Sequence, residues 1–420
     1  MREARSQPYA APEDLLLTAR STTLKLLAYC QARGWAGVDP YDALNSGIFR
    51  AMPFLDRRLP RLVLTQTLKR SPFDIRRLMA VPPTANPKAL GLFLASLINL
   101  SKLGLLEQPE LLATIAGTLE ALRSPNADYW CWGYSFPWQT RTMVVPRGAP
   151  NLVCTTFVAG ALLDAYEQTR VSRYLDMAAS SADYILNELY WTDGVVAGFG
   201  YPLPSMHNIH NANLLGAALL ARVARHTGNR RLVDPAMSVA RFSASKQRPD
   251  GSWYYGELPN QQWIDNFHTG YNLCALLTLR RALETTEFDS QIRDGFEFYR
   301  SHFFRDDGAA RYFHDQTYPI DVHSVAQSII TLLAFRQPDR GNLALAGSVF
   351  RWAMDHLWDE RGFFYYRVLR FCTIRTSYMR WSQAWMLLAL STMLCELDTS
   401  HRLASIAQAT AGNLATPVEA

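Results

Sequence analysis

Apolar residues fall at helical spacing in one segment of this chain after another, and the segments themselves repeat. Five of them end in comparable clusters: GALLDAY around Leu162, AALLARV around Leu219, CALLTLR around Leu276, ITLLAFR around Leu332 and MLLALST around Leu388. Those leucines stand 57, 57, 56 and 56 residues apart. An apolar stripe that returns at such an interval marks a repeat architecture, in which each unit buries its face against its neighbours. A second helical pattern lies between successive stripes, as in residues 174–190 and 232–247, so each unit reads as a helical hairpin. Each hairpin is followed by a glycine turn with aromatic alternation, at Asp193-Gly194, Asp250-Gly251, Asp307-Gly308 and Arg361-Gly362. Asp-Gly supplies the positive backbone dihedrals of a tight turn, which predicts a small β-hairpin in each unit.

An earlier apolar helix after Pro87-Lys88 brings the inner helices to six. The predicted fold class is all-α: an (α/α)6 toroid over residues 86–400, a helical or irregular cap over 1–85, and a tail over 401–420. An open solenoid is the architectural alternative. About eight residues before each leucine cluster the inner helix opens on polar residues: Asn151 to Cys154, His210 and Asn211, Asn266 and His268, Asp321 and His323, Arg380 and Gln383. Parallel inner helices bring these openings to one mouth, where unpaired N–H groups and helix dipoles favour anionic ligands.

Composition narrows the possibilities. Hydrophobic residues make up 49% and charged residues 19% of 420 positions, enough to build a large core and too apolar for a disordered chain. Forty-two basic against 37 acidic side chains give a net charge of +5, too weak and too scattered to argue for nucleic acid. The six widely spaced cysteines predict buried free thiols, and no linear pattern proposes a metal site. Phosphate loops, Rossmann glycines, zincin helices and nucleophile elbows are absent, so no cofactor is expected. The N-terminal residues show no export signal and no segment is apolar enough to span a membrane, which predicts a cytoplasmic protein.

Four segments carry three resemblances. Gln247-Arg248-Pro249-Asp250-Gly251-Ser252-Trp253 resembles the Q-x-x-D-G-S-W repeat of terpenoid-cyclase and prenyltransferase-like toroids, in which the motif staples helices; the D-x-D-D of the class II cyclases is absent. Trp263-Ile264-Asp265-Asn266 resembles the Trp-x-Asp opening of an inner helix in the six-hairpin glycosidases, which implies a catalytic role for Asp265. Gly133 to Arg141, Trp263 to His268 and Arg380 to Trp385 look like toroidal proteins encoded beside bacterial exopolysaccharide assembly genes.

The candidate chemistry follows from these positions. Asp265, His268, the pair His207 and His210, and Glu257 are the candidates for acid–base catalysis. The bland readings are an N-cap for Asp265, a solvated loop acid for Glu257 and hydrogen-bonded structural roles for the histidines. Trp132, Tyr134 and Trp138, with Trp253, Tyr254, Tyr255 and Trp263, are candidate platforms for sugar rings. Arg141 and Arg380 suit a uronate, and Asn211, His323 and Gln383 suit its hydroxyls. Asp39 and Asp42, in a tight turn, reach the mouth if the N-terminal segment folds over it. The expected function is a carbohydrate-active enzyme acting on an acidic glycan by hydrolysis, elimination or epimerisation. A non-catalytic glycan-binding member of a polysaccharide assembly complex and a cyclase-like toroid are the alternatives.

Overall fold

The computed structural model describes residues 12–140, 143–201, 207–336 and 341–414. Its helices are α1 (Pro12–Gln31), α2 (Gly47–Ala51), α3 (Arg58–Arg70), α4 (Pro87–Lys102), α5 (Glu110–Ala121), α6 (Leu152–Thr169), α7 (Ser172–Tyr184), α8 (His210–Thr227), α9 (Val233–Ser245), α10 (Asn266–Leu283), α11 (Asp289–His302), α12 (Val322–Ala334), α13 (Gly341–Leu357) and α14 (Trp385–Leu414). α4, α6, α8, α10, α12 and α14 pack each against the next, and α14 returns onto α4, so the ring is closed rather than an open solenoid. The inner helices are buried almost all round, which is why their sequences read as broad apolar stripes. Gly270 shows how tightly they meet: a Cβ there would lie 2.7 Å from Cγ of Gln327 on α12.

α5, α7, α9, α11 and α13 pair with the preceding inner helix as the outer layer. The sixth outer place, beside α14, is taken by α1 from the other end of the chain. Within residues 1–85, expected as a cap packed on the ring, α1 lies against the wall, and Asp39 and Tyr41 meet Arg380 and Trp381 at the mouth.

Gly194, Gly251, Gly308 and Gly362 all adopt the positive φ expected of their turns, between 86° and 94°. Two of the turns join paired strands, Tyr190–Thr192 with Ala197–Phe199 and Trp358–Asp359 with Phe363–Phe364. The Gly308 turn carries a single bridge, Phe304 to Ala310, and the Gly251 turn is closed by the Arg248 N–H donating to the Ser252 carbonyl at 2.8 Å. There the aromatic that should have extended a strand, Trp253, is drawn inward. Its indole donates to the Ser243 carbonyl at 3.0 Å, while Gln247 donates to the carbonyls of Gly251 and Gln291, both at 2.9 Å. The Q-x-x-D-G-S-W segment therefore ties α9 to α11, a stapling role.

Candidate active site

Inner helices begin at the mouth, and most begin on a polar side chain that accepts a backbone N–H of the first turn. Asn86, Asn151, Asp265 and Asp321 cap α4, α6, α10 and α12 in this way. Such caps satisfy donors that the helix cannot. The two aspartates do more. Asp265 is 2% exposed, and its Oδ1 accepts the His268 N–H at 3.0 Å while Oδ2 accepts the Trp263 indole at 2.9 Å and His268 Nδ1 at 2.7 Å. Asp321 accepts the His323 N–H and the Trp381 indole on Oδ1, both at 2.9 Å, and takes Arg367 on Oδ2 at 2.6 and 2.9 Å.

The consequence for His268 is specific. A carboxylate that accepts Nδ1–H fixes the neutral imidazole with its lone pair on Nε2. Nε2 of His268 has no hydrogen-bond partner among the described residues, and the ring is about one-fifth exposed. Tyr255 lies 4.6 Å from this ring and stacks on Trp263 at 4.5 Å. Asn211, Tyr254, Thr269 and Asn272 complete the lining of this small pocket, which leaves no volume for a water molecule. Oδ1 of Asn211 and of Asn272 are buried without a partner, polar atoms awaiting one.

Beneath His268 the ring axis is lined by aromatic side chains. Tyr271, one turn further along α10, shares a 2.6 Å hydrogen bond with His323 Nε2. His323 stacks on Phe267 and on Trp385, with centroids 4.5 Å away in each case. Burial, and then the cations of Lys88 and Arg380, hold the His323 pKa well below the ordinary histidine value, so the ring is neutral at pH 7. Burial likewise pushes the Tyr271 phenol well above its usual range, so its hydroxyl is the donor to Nε2.

The remaining candidates are placed elsewhere. His210 is buried against the outer layer: Nε2 meets Glu257 at 2.9 Å and Nδ1 meets Ser243 of α9 at 3.4 Å. Glu257 also takes Lys246 at 3.2 Å, and these partners, His210 foremost, lower its pKa to about 2. His207 is exposed and Arg141 lies outside the described residues. Trp132 is fully buried with its indole donating to the Leu119 carbonyl at 2.7 Å; like Trp253 it is a core anchor, with no face left for a sugar. Gln383 clamps Phe364, accepting its N–H at 2.9 Å and donating to its carbonyl at 2.8 Å. Arg380 reaches the mouth but is held by Asp39 of the N-terminal segment, with bonds of 2.6 and 2.8 Å. Tyr134 lies under that guanidinium, and the half-buried Trp138 meets Tyr134 edge-on at 6.4 Å. Sequence reasoning missed Tyr271, Phe157 and Trp385. Each stands where an apolar stripe needs a residue, and only the Tyr271 hydroxyl, three residues after His268, hints at more.

The three histidines at helix openings are separated by helical phase and by their partners. His210 is the first residue of α8, His323 the second of α12 and His268 the third of α10. Against the leucine of its unit His268 stands eight residues before and His210 and His323 nine, so a turn of about 100° sets His268 apart, while His210 and His323 are parted by their partners, Glu257 and Ser243 for the one and Tyr271 for the other.

Neither a protein-family model nor a curated protein matches this sequence. Solved structures do. An unsaturated glucuronyl hydrolase specific for heparin superposes with a TM-score of 0.60 at 12% identity, over 91% of this chain and 97% of its own. A cellobiose 2-epimerase from Bacillus thermoamylovorans gives 0.59 at 12% identity, over 74% and 87%. A GH76 α-mannanase from Bacteroides thetaiotaomicron gives 0.58 at 14% identity, over 74% and 86%. The fold is the six-hairpin toroid. These toroids are carbohydrate-active enzymes, and their likeness to this one extends to architecture alone. Among the described residues of this toroid no three His, Cys, Asp or Glu side chains gather as metal ligands, and no helix is long and apolar enough to cross a membrane. A larger open cavity, about 1300 Å³, lies at the opposite end, where Arg280, Arg281, Arg293 and Arg336 surround Phe296 and Phe335. It contains no histidine; a smaller open cavity of about 480 Å³ at that end holds His226, whose Nε2 meets Glu167 at 2.8 Å and which Arg222 flanks.

Proposed function

We propose that this toroid is a carbohydrate-active enzyme that moves a proton at a ring carbon of an acidic, uronate-type glycan, by elimination or epimerisation rather than by two-carboxylate hydrolysis. The carrying observation is the state of the carboxylates. Asp265, Asp321, Asp39 and Glu257 are each committed to an imidazole, a guanidinium or an ammonium, whereas His268 keeps Nε2 free beside an aromatic wall. Glycosidic hydrolysis by the usual route asks for two carboxyl groups facing one bond. Proton abstraction next to a carboxylate asks for one oriented base and a nearby acid.

In this reading His268 Nε2 takes the proton from the carbon that bears the carboxylate, and Asp265 stabilises the imidazolium. The Tyr271 hydroxyl, turned from His323 Nε2 towards the sugar, gives its proton either to the departing oxygen or to the opposite face of the carbon, and the phenolate is reprotonated as His268 loses its proton. Trp263 and Tyr255 hold the sugar ring. A place in exopolysaccharide biosynthesis or processing belongs to the same proposal and rests on the three segment resemblances alone.

Incubating the protein with a panel of uronate-containing oligosaccharides and following ultraviolet absorbance and proton spectra tests the assignment. An unsaturated product or an inverted carbon is expected. Saturated cleavage products without either would favour hydrolysis, and tight binding with no product would favour a glycan-binding scaffold.

A further inference from the structure

Lys88 is the second residue of α4 and is 3% exposed. Its ammonium group sits on the ring axis inside an aromatic box, 4.1 Å from the Phe157 centroid, 5.3 Å from Trp385 and 5.6 Å from Tyr271. No carboxylate or other acceptor among the described residues pairs with it. Asp39, the carboxylate that acts on it from a distance, has both oxygens on Arg380. A buried cation left unpaired is costly, and cation–π contact offsets that cost only in part. Two further buried donors in the same stack lack acceptors: Nε1 of Trp385 and Nδ1 of His323. Because His323 is neutral and accepts the Tyr271 hydroxyl on Nε2, its proton resides on Nδ1.

We propose that Lys88, the Trp385 indole N–H and His323 Nδ1–H form a buried subsite for an anionic oxygen group, which takes the carboxylate of the sugar acid on the ring axis. The inference rests on the proton-transfer reading for the identity of the ligand and on orphaned donors for its location. A carboxylate seated there places negative charge on the N-terminus of α4 and supplies the acceptor that all three donors lack. Burial and the nearby Arg380 cation hold the Lys88 amine well below the usual lysine range. An arriving carboxylate acts in the opposite direction and favours the ammonium form.

Calorimetric titration of the protein with methyl β-glucuronide and with its methyl ester reads the preference. The acid is expected to bind about tenfold or more tightly than the ester. Lys88→Met is expected to erase the preference, and Trp385→Phe to weaken the acid while leaving the ester unchanged. Lys88→Met retaining the preference overturns the subsite. Failure of the acid to bind at all overturns it too. Lys88-dependent binding with no exchange at a sugar carbon upholds the subsite and instead refutes the proton-transfer reading.

Discussion

The openings of α8 and α10 are built from the same ingredients and have different work. Each offers a histidine, an asparagine, a neighbouring carboxylate and a tryptophan–tyrosine loop, yet His210 is locked into the outer layer while His268 presents a free nitrogen to the mouth. The cause is one residue of helical phase, His210 standing nine residues before Leu219 and His268 eight before Leu276. α8 starts on its histidine, whereas α10 starts after an aspartate that both caps the helix and, three residues on, orients the ring. Composition at a helix end says which chemistry is available, and phase decides where it points.

The comparison breaks most sharply by substitution of the two rings. His268→Gln is expected to lower turnover by about a hundredfold or more, because a positioned general base contributes roughly that much. His210→Gln should leave turnover within a few-fold. A result in which His210→Gln is the more damaging to turnover reverses the assignment. Asp265→Asn comes next. Asparagine caps a helix as well as aspartate does, so melting should barely change, while turnover should fall by roughly a hundredfold as the imidazole loses its orienting charge. Equal losses of stability and activity would make Asp265 a cap and nothing else.

Smaller effects belong to the α8 side. Removing the His210 ring with His210→Ala leaves Ser243 its bond from Asn213 and Glu257 its Lys246 contact, and chemical denaturation should show a loss of about 1 kcal/mol. The partly exposed Glu257 adds a pH dependence. Its folded-state pKa of about 2 lies below the ordinary glutamate value of 4.5, so its stabilising contribution is complete above pH 4.5 and is lost as pH falls towards 2. Glu257→Gln should flatten that part of the acid unfolding curve; an unchanged curve would show that the His210 and Lys246 contacts do not persist in solution.

Much of the ring was legible in the sequence, because a closed toroid imposes one apolar stripe and one glycine turn per unit. The leucine spacing locates the inner helices, and the four glycines adopt the backbone predicted for them. The candidate site was legible where its parts are neighbours in sequence, as Trp263, Asp265 and His268 are. It was not legible where the chain must close on itself. Asp39 reaches Arg380 across 341 positions, and α1 completes the wall beside α14. Nor did the regular leucine spacing reveal that α8 begins nine residues before Leu219 and α10 ten before Leu276. Trp132 and Trp253 misled for a related reason: an aromatic loop looks the same whether its rings face a ligand or a helix interface, and their indole bonds to Leu119 and Ser243 settle it.

The central claim is that one imidazole, oriented by Asp265, exchanges a proton with a sugar carbon. Its most direct measurement is deuterium incorporation into a recovered uronate oligosaccharide after incubation in heavy water with wild-type, His268→Gln and His210→Gln proteins. The account predicts incorporation at the carbon bearing the carboxylate with the wild type and His210→Gln, and none above background with His268→Gln. Incorporation that survives in His268→Gln, or that is absent from a wild-type protein turning over the same oligosaccharide, contradicts it.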